Sequence, residues 1–169
     1  AMETRTVGVL GCGLMGSGIA QVAAQAGFAT VVREVDDALL ERGIGRIRRF
    51  LDDGVERGKI TSELRDRVLK AIKPTTAFED LAPCDIVVEA IVENLEEKTR
   101  AFQAVERVVR PETILCSNTS SLCITELASK TRRPDRFAGL HFFNPVPIMR
   151  LVEVVRGLAT SDETYRTVF

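Results

Sequence analysis

The chain has 169 residues, 45% hydrophobic and 28% charged, which suits one folded domain and excludes a disordered or fibrous protein. Lys and Arg number 23 against 24 Asp and Glu, and this near balance argues against a nucleic-acid or membrane partner. Four cysteines without a C-x-x-C pair, and only one histidine, indicate free thiols in a reducing, cytoplasmic compartment and argue against a metal site.

Apolar strand-like runs alternate with helical patterns along the chain. Strands are predicted at 6–11, 30–35, 73–76, 85–91, 113–118, 136–142 and 151–155. Helices are predicted at 17–27, 37–57, 62–72, 96–109 and 124–131, with a short last one capped by Thr160 or Ser161. This alternation predicts an α/β fold with a doubly wound, mostly parallel sheet.

Two helical patterns separated by Gly58 interrupt the alternation, and they predict a helical hairpin at about 37–72, inserted after the second strand. Residues 37–73 carry ten basic and seven acidic side chains. The excess of positive charge fits either a solvated surface or a docking surface for a phosphorylated ligand, and the sequence leaves both open.

A glycine-rich turn, GCGLMG, follows the first strand and supplies Gly11, Gly13 and Gly16. In a dinucleotide site the first glycine permits the tight turn, the second lets the backbone approach the pyrophosphate, and the third lets helix and strand pack closely. The helix that begins near Leu14 would point its free N–H groups at the phosphates. With a strand before it and a helix after it, the motif predicts a Rossmann-like dinucleotide site.

The second strand ends in an acidic residue, Glu34, twenty-one positions after Gly13. A carboxylate there accepts hydrogen bonds from the adenosine ribose and repels the extra phosphate of NADP. Arg33 is expected on the opposite face of the strand, because neighbouring strand residues alternate. The sequence therefore predicts NAD as the cofactor.

The segment GLHFFNPVPIMRLVEVV places the only histidine, His141, at the end of a strand, where open α/β sheets bind ligands. Glu153 stands alone in the next apolar run and is predicted to be buried. Because an unpaired buried carboxylate is costly, Glu153 is expected to pair with His141. Such a pair orients an imidazole as a general base, which suggests alcohol oxidation beside a hydride acceptor. The alternative is a structural histidine and a solvent-exposed glutamate.

The segment SNTSSL, residues 117–122, follows another strand and opens at the same sheet edge. Its hydroxyl groups can hydrogen-bond a substrate oxygen, or they can cap the helix predicted at 124–131. Both roles remain open from the sequence.

Four segments in this order, GCGLMGSGIA, VVEAIVENLEEK, SNTSSL and GLHFFNPVPIMRLVEVV, resemble the NAD-binding domain of the L-3-hydroxyacyl-CoA dehydrogenases, including the 3-hydroxybutyryl-CoA enzymes. The resemblance spans the chain from Val7 onward and includes the helical hairpin. It implies reversible, NAD-dependent oxidation of an L-3-hydroxyacyl-CoA to the 3-ketoacyl-CoA, as in fatty-acid metabolism.

The resemblance also implies roles for individual residues. His141 is the general base, Glu153 orients it, and Ser120 binds the substrate oxygen. The cofactor contacts that it implies are Gly11, Gly13, Leu14, Met15, Gly16, Glu34, Glu93, Lys98, Ser120 and Asn144. Contacts to coenzyme A are implied for Arg57, Lys98 and Ser120. Where family members carry a serine seven positions before the basic residue, this chain has Phe50, so that contact is in doubt.

Members of the family continue into an all-helical domain that forms the dimer and completes the acyl pocket. We therefore expect residues 2–169 to form the NAD-binding domain alone, to be weakly active or inactive by themselves, and to belong to a homodimer in the full-length protein. The alternatives are a gulonate-type 3-hydroxyacid dehydrogenase and a non-catalytic, structural NAD-binding module.

Overall fold

The computed structural model describes residues 2–169, and this part of the chain forms a single sheet of seven strands. The strands are β1 (Thr6–Leu10), β2 (Ala29–Arg33), β3 (Ile72–Thr75), β4 (Ile86–Glu89), β5 (Ile114–Ser117), β6 (Phe137–Phe142) and β7 (Val152–Arg156). Every predicted strand is confirmed, and the ends shift by no more than two residues.

Within the same residues the chain forms six α-helices. They are α1 (Leu14–Gln25), α2 (Asp37–Glu56), α3 (Ser62–Ala71), α4 (Leu95–Glu106), α5 (Ile124–Ser129) and α6 (Asp162–Val168). The helical hairpin is confirmed as α2 and α3, and Gly58 between them has a φ of 67°, a conformation that favours glycine. The side chain of Ser161 caps α6, as predicted.

The strand order is β3-β2-β1-β4-β5-β6-β7. Strands β1 to β6 are all parallel to one another, and β7 runs antiparallel to β6 at the edge. The chain crosses from one half of the sheet to the other between β1 and β4, so the order reverses there, and ligands of open α/β sheets bind at the carboxyl ends beside such a point. The predicted doubly wound, mostly parallel fold is confirmed.

Helices cover both faces of the sheet, which explains why its strands are apolar nearly throughout. Val32 of β2 faces one layer and packs in a cluster with Ile19 of α1. Its neighbour Val31 faces the other layer and packs with Phe102 of α4. Burying a side chain of this size contributes about 1.5–3 kcal/mol. No helix in the described residues is long and apolar enough to cross a membrane.

The β7 edge of the sheet is less well covered than the centre. Five large apolar side chains in and just before β7 are 38–62% exposed, and we call them the apolar edge patch: Ile148, Met149, Leu151, Val152 and Val155. They lie on the segment that follows His141 and its loop. The patch therefore adjoins the site described next.

Candidate active site

The glycine turn after β1 has the geometry that its sequence predicts. Gly11 has a φ of 93°, which a residue with a side chain rarely adopts. A Cβ at Gly16 would lie 1.9 Å from the carbonyl oxygen of Gly11, so only glycine lets α1 approach the turn this closely. A Cβ at Gly13 would meet no atom within 4 Å. Gly13 is therefore not required for packing, and its bare backbone faces open space.

The first turn of α1 leaves its N–H groups available. Its N-cap is Gly13, with no side-chain cap and no acidic residue in the first turn. The hairpin helices and α4 are instead capped by side-chain oxygens of Asp36, Thr61 and Asn94. An uncapped helix N-terminus with its partial positive charge suits a phosphate group. The turn thus fits the pyrophosphate of a dinucleotide.

A cavity of about 780 Å³, the cofactor cavity, opens above this turn. Gly11, Gly13, Leu14, Met15 and Glu34 contribute to its wall. The Glu34 carboxylate accepts hydrogen bonds from the backbone N–H groups of Cys12 and Val35, both at 2.8 Å. These bonds hold the carboxylate at the end of β2, next to the glycine turn, where a ribose would lie. The residues present therefore fit NAD.

Arg33 corrects one expectation from the sequence. Alternation along the strand predicts that it points away from the site, but Arg33 also lines the cofactor cavity. It is the last residue of β2, and its long side chain bends over the sheet edge. Its Nε donates to the Thr76 carbonyl at 3.1 Å, and its guanidinium carbon lies 3.8 Å from the centre of the Phe78 ring. The cation is thus already engaged by a carbonyl and an aromatic face.

A second cavity of about 360 Å³, the histidine cavity, lies at the carboxyl ends of β4, β5 and β6. It shares Met15, Ala90 and Ile91 with the cofactor cavity, so the two are adjoining compartments. The sequence-predicted site residues that line the histidine cavity are Met15, Glu93, Lys98, Ser120, His141 and Asn144. The fold therefore brings together side chains from four separate segments of the chain.

The predicted burial of Glu153 is wrong. Its side chain is 54% exposed, against 24% for His141. The two residues face each other across the β6–β7 ladder, but Nδ1 of His141 lies 3.9 Å from Oε1 of Glu153, beyond hydrogen-bond distance. Alternation places Glu153 on the correct face, yet β7 is the edge strand and nothing in the described residues covers that face. The two residues are thus neighbours across the ladder, but no hydrogen bond joins their side chains.

The structure excludes one of the two roles that the sequence left open for the serine loop, the capping of α5. The helix α5 has Cys123 as its N-cap and no side-chain cap, so neither serine caps it. The loop is tied to Glu93 instead, whose Oε2 accepts from the Thr119 hydroxyl at 2.9 Å and from the Ser120 N–H at 3.2 Å. Among the described residues the Ser120 hydroxyl has no hydrogen-bond partner, so it is available to a ligand.

Glu93 is held in its ionised form. Partial burial alone would raise its pKa, but hydrogen bonds from Lys98 and Thr119, with the charge of Lys98, lower the pKa below its ordinary value. A carboxylate that already accepts from the serine loop is therefore present at neutral pH. It lines the histidine cavity beside the loop that carries Ser120.

Lys98, for which contacts to the cofactor and to coenzyme A are expected, is deeply buried. Its side chain is only 2% exposed, and its ammonium lies 2.5 Å from Glu89 and 3.1 Å from Glu93. A cation buried between two carboxylates offers no free charge to a solvent-exposed phosphate. Lys98 lines the histidine cavity and not the cofactor cavity.

Arg57 and Phe50 lie on the hairpin, away from both cavities. Arg57 follows α2, is 64% exposed and pairs with Asp53 at 3.1 Å. Phe50 is exposed and lines a small apolar cavity of about 110 Å³ between the hairpin and the loop that carries Asn144. The hairpin thus borders the site on the side of the NPVP loop.

Sequence reasoning missed two residues of the site. Glu89 is fully buried and bonds to Lys98. Asn118 lines the histidine cavity, and its Oδ1 accepts from the Phe142 N–H at 2.8 Å, which ties the serine loop to the strand that carries His141. Glu89 had a signal, since it is the one carboxylate in the apolar run IVVEAI. Asn118 had none beyond its position after β5.

Comparison with protein families gives a match over residues 6–169 to the NAD-binding domain of 3-hydroxyacyl-CoA dehydrogenase. A Deinococcus radiodurans protein named "Probable 3-hydroxybutyryl-CoA dehydrogenase" is 53% identical over 161 residues, which cover 95% of this chain and 58% of that protein. A 3-hydroxybutyryl-CoA dehydrogenase of Bradyrhizobium diazoefficiens is 45% identical, covering 98% of this chain and 56% of that protein. The chain thus spans somewhat less than three fifths of the length of these relatives.

Among solved structures, the (S)-3-hydroxybutyryl-CoA dehydrogenase of Ralstonia eutropha superposes with a TM-score of 0.96 at 43% identity. That match covers 98% of this chain and 59% of the other. A 3-hydroxybutyryl-CoA dehydrogenase of Escherichia coli also superposes with a TM-score of 0.96, at 44% identity, covering 99% of this chain and 35% of the other. The likeness therefore extends over the whole described fold.

Proposed function

Because this chain belongs to the 3-hydroxyacyl-CoA dehydrogenase family through its NAD-binding domain, we propose that the intact protein oxidises an L-3-hydroxyacyl-CoA to the 3-ketoacyl-CoA, reversibly. The observation that carries the proposal is the histidine cavity. It gathers His141, Ser120 and Asn144 directly beside the cavity that fits NAD. Oxidation of an alcohol requires a base near its oxygen, which loses a proton, and a hydride acceptor near its carbon, and this arrangement provides both.

In this proposal His141 is the general base. When bound, NAD supplies the acceptor for the hydride that leaves C3 of the substrate. The ring nitrogen of His141 that faces away from Glu153 takes the hydroxyl proton, so that the alcohol becomes a ketone. The free hydroxyl of Ser120 donates to the same substrate oxygen and holds it near the ring. In the reverse direction the protonated His141 returns its proton.

Glu153 orients His141 and stabilises the imidazolium that forms. The separation of 3.9 Å is long for this role, but catalytic hydrogen bonds often tighten only when substrate is bound. Covering the exposed side chain of Glu153 would also strengthen its attraction to an imidazolium, because less water would screen the charges. Asn144, which lines the same cavity, contacts the nicotinamide side.

We further propose that residues 2–169 are the NAD-binding domain, and that a further helical domain covers the apolar edge patch and forms the homodimer. The exposed apolar side chains next to the site support this, since such patches mark interaction surfaces. The share of the relatives' length that the chain spans is consistent with it. Coverage of the patch would also enclose Glu153 and complete the acyl pocket.

Binding of coenzyme A is proposed for the hairpin, whose residues 37–73 carry an excess of positive charge. Arg57 keeps the charge expected for such a contact, although it must exchange its pairing with Asp53. Phe50 cannot donate a hydrogen bond and offers an apolar surface instead. Ser120 is the contact near the thioester end.

The proposal is tested by following NADH oxidation by the intact protein with acetoacetyl-CoA and with a free 3-keto sugar acid. We expect turnover with the thioester and at least about a hundredfold lower kcat/KM with the free acid. Preference for the free acid would favour the gulonate-type activity. Binding of NADH without turnover of either compound would favour a non-catalytic module.

A further inference from the structure

A buried charged cluster lies directly beneath the histidine cavity. Glu89, the last residue of β4, is fully buried, and the Lys98 side chain is 2% exposed. The Lys98 ammonium lies 2.5 Å from Oε2 of Glu89. Removing two ionised groups from water is expensive, and apolar side chains of similar volume would stabilise a core at least as well. The cluster therefore calls for a reason other than stability.

The Glu89 carboxylate accepts hydrogen bonds from three different segments. Its Oε2 accepts from the Ile91 N–H at 2.8 Å, in the loop after β4, as well as from Lys98 on α4. Its Oε1 accepts from the hydroxyl of Ser117, at the end of β5, at 2.6 Å. The Ser117 oxygen accepts in turn from the Thr119 N–H at 3.2 Å. One buried carboxylate thus joins the loops that follow β4 and β5, both of which line the histidine cavity.

The bonds continue from this carboxylate to the surface of the cavity. Lys98 lies 3.1 Å from Oε1 of Glu93, and Oε2 of Glu93 accepts from the backbone N–H of Ser120 at 3.2 Å. Glu93, Lys98 and Ser120 line the histidine cavity, whereas Glu89 does not. Any displacement of Lys98 therefore shifts Glu93 and, through it, the loop that carries the Ser120 hydroxyl.

We propose that Glu89 is a positioning residue for the reaction, which acts through Lys98 and Ser117 on the cofactor side and the substrate side together. This inference rests on the proposed function for the role of Ser120 at the substrate oxygen, and on the family resemblance for the cofactor contacts of Glu93 and Lys98. Glu89 fixes the ammonium at one point, and the opposed carboxylates of Glu89 and Glu93 keep it there. The loops that carry Glu93 and Ser120 are thereby held in place before ligands bind, which lowers the entropic cost of ordering them on binding.

The experiment compares variants of the intact protein with the wild type. Glu89→Gln keeps the shape and removes the charge, Glu89→Asp keeps the charge and shortens the reach, and Ser117→Ala removes a single donor. Glu96→Gln is the matched control, because Glu96 is an 82% exposed carboxylate on α4 that, within residues 2–169, forms an ion pair with Arg100 alone, at 3.8 Å. For each protein the Tm, the Kd for NADH, and kcat and KM for acetoacetyl-CoA are measured well below the Tm.

We expect Glu89→Gln to raise the Kd for NADH and to lower kcat, each by about tenfold, the loss typical of one charge-assisted hydrogen bond. Glu89→Asp should recover part of both, and Ser117→Ala should lower kcat by about threefold. The control should stay within about twofold of the wild type. If Glu89→Gln does not fold, Ser117→Ala carries the test.

A lower Tm with wild-type Kd and kcat per folded molecule, in both Glu89→Gln and Ser117→Ala, would reduce Glu89 to a structural residue and overturn the inference. Failure of the wild-type protein to bind NADH or to reduce acetoacetyl-CoA would instead reject the proposed function. The two failures are therefore separated by the wild-type measurement.

Discussion

Two glycines of the same turn are expected to respond differently to substitution by alanine: Gly16→Ala should mainly lower the stability, and Gly13→Ala should mainly lower the affinity for NADH. A Cβ at Gly16 would lie 1.9 Å from the Gly11 oxygen and 2.7 Å from its carbonyl carbon. Both are backbone atoms of a turn with a φ of 93°, so they cannot rotate away as a side chain would. A Cβ at Gly13 meets nothing within 4 Å, and the φ of −73° at Gly13 is open to alanine.

The expected magnitudes follow from these contacts. Overpacking of this kind costs about 1–3 kcal/mol, which in a chain of this size corresponds to a fall in Tm of roughly 2–12 °C for Gly16→Ala. Gly13→Ala costs at most about 1 kcal/mol, the difference between glycine and alanine as an N-cap. Its methyl group, however, would occupy the space where the pyrophosphate meets the backbone, so the Kd for NADH should rise by about tenfold or more.

The assay pairs thermal unfolding with a titration of NADH fluorescence for the two variants and the wild type. Gly16→Ala should show the larger fall in Tm. Gly13→Ala should show a large rise in the Kd for NADH with little change in Tm. Wild-type affinity in a stably folded Gly13→Ala protein would show that the dinucleotide does not cross the turn at Gly13. An unchanged Tm for Gly16→Ala would contradict the close packing of α1 against the carbonyl group of Gly11.

Two further predictions concern the thiols and the cofactor preference. Burial raises the pKa of Cys12 to about 11 and the pKa of Cys84 and Cys116 to about 12, whereas Cys123 is exposed. A thiol reagent at pH 8 should therefore label Cys123 rapidly and the other three cysteines only after denaturation. Since the unfolded thiols ionise near 9.0 and the folded ones stay protonated, the free energy of unfolding should fall as the pH rises above about 9, and Cys116→Ala should lessen that slope; equal labelling of all four thiols in the native protein would contradict the burial. Substitution of Glu34 by Gln removes the charge that repels a 2′-phosphate and should lower the preference for NAD over NADP by about tenfold in Kd, with an unchanged preference arguing that Glu34 does not face the ribose.

The sequence was sufficient for the fold and for the cofactor turn because both depend on local patterns. Strand alternation and the spacing of Gly11, Gly13 and Gly16 are fixed by backbone geometry, which does not depend on what covers the sheet. His141 was found for the same reason, since the carboxyl end of a strand is a position that the pattern defines. The alternation of strands and helices predicted a doubly wound, mostly parallel sheet, but the order of its strands is known only from the structure.

The errors arose where the answer depends on neighbours that are distant in sequence. The burial of Glu153 depends on what covers the edge strand, and the pattern of LVEVV carries no such information. Arg33 alternates correctly, but its length lets it bend around the end of the strand into the cavity. Glu89 satisfies the rule that was applied to Glu153, a lone carboxylate in an apolar run, and it is Glu89 that is buried and paired.

The central claim, that His141 is the general base for NAD-dependent oxidation, is tested most directly by His141→Gln in the intact protein. Turnover of L-3-hydroxybutyryl-CoA is followed by NADH absorbance, and the Kd for NADH is measured on the same preparation. We expect kcat to fall by about 10²–10⁴ while the Kd for NADH stays within about twofold of the wild type. A kcat within about threefold of the wild type, with NADH still bound, would contradict the assignment.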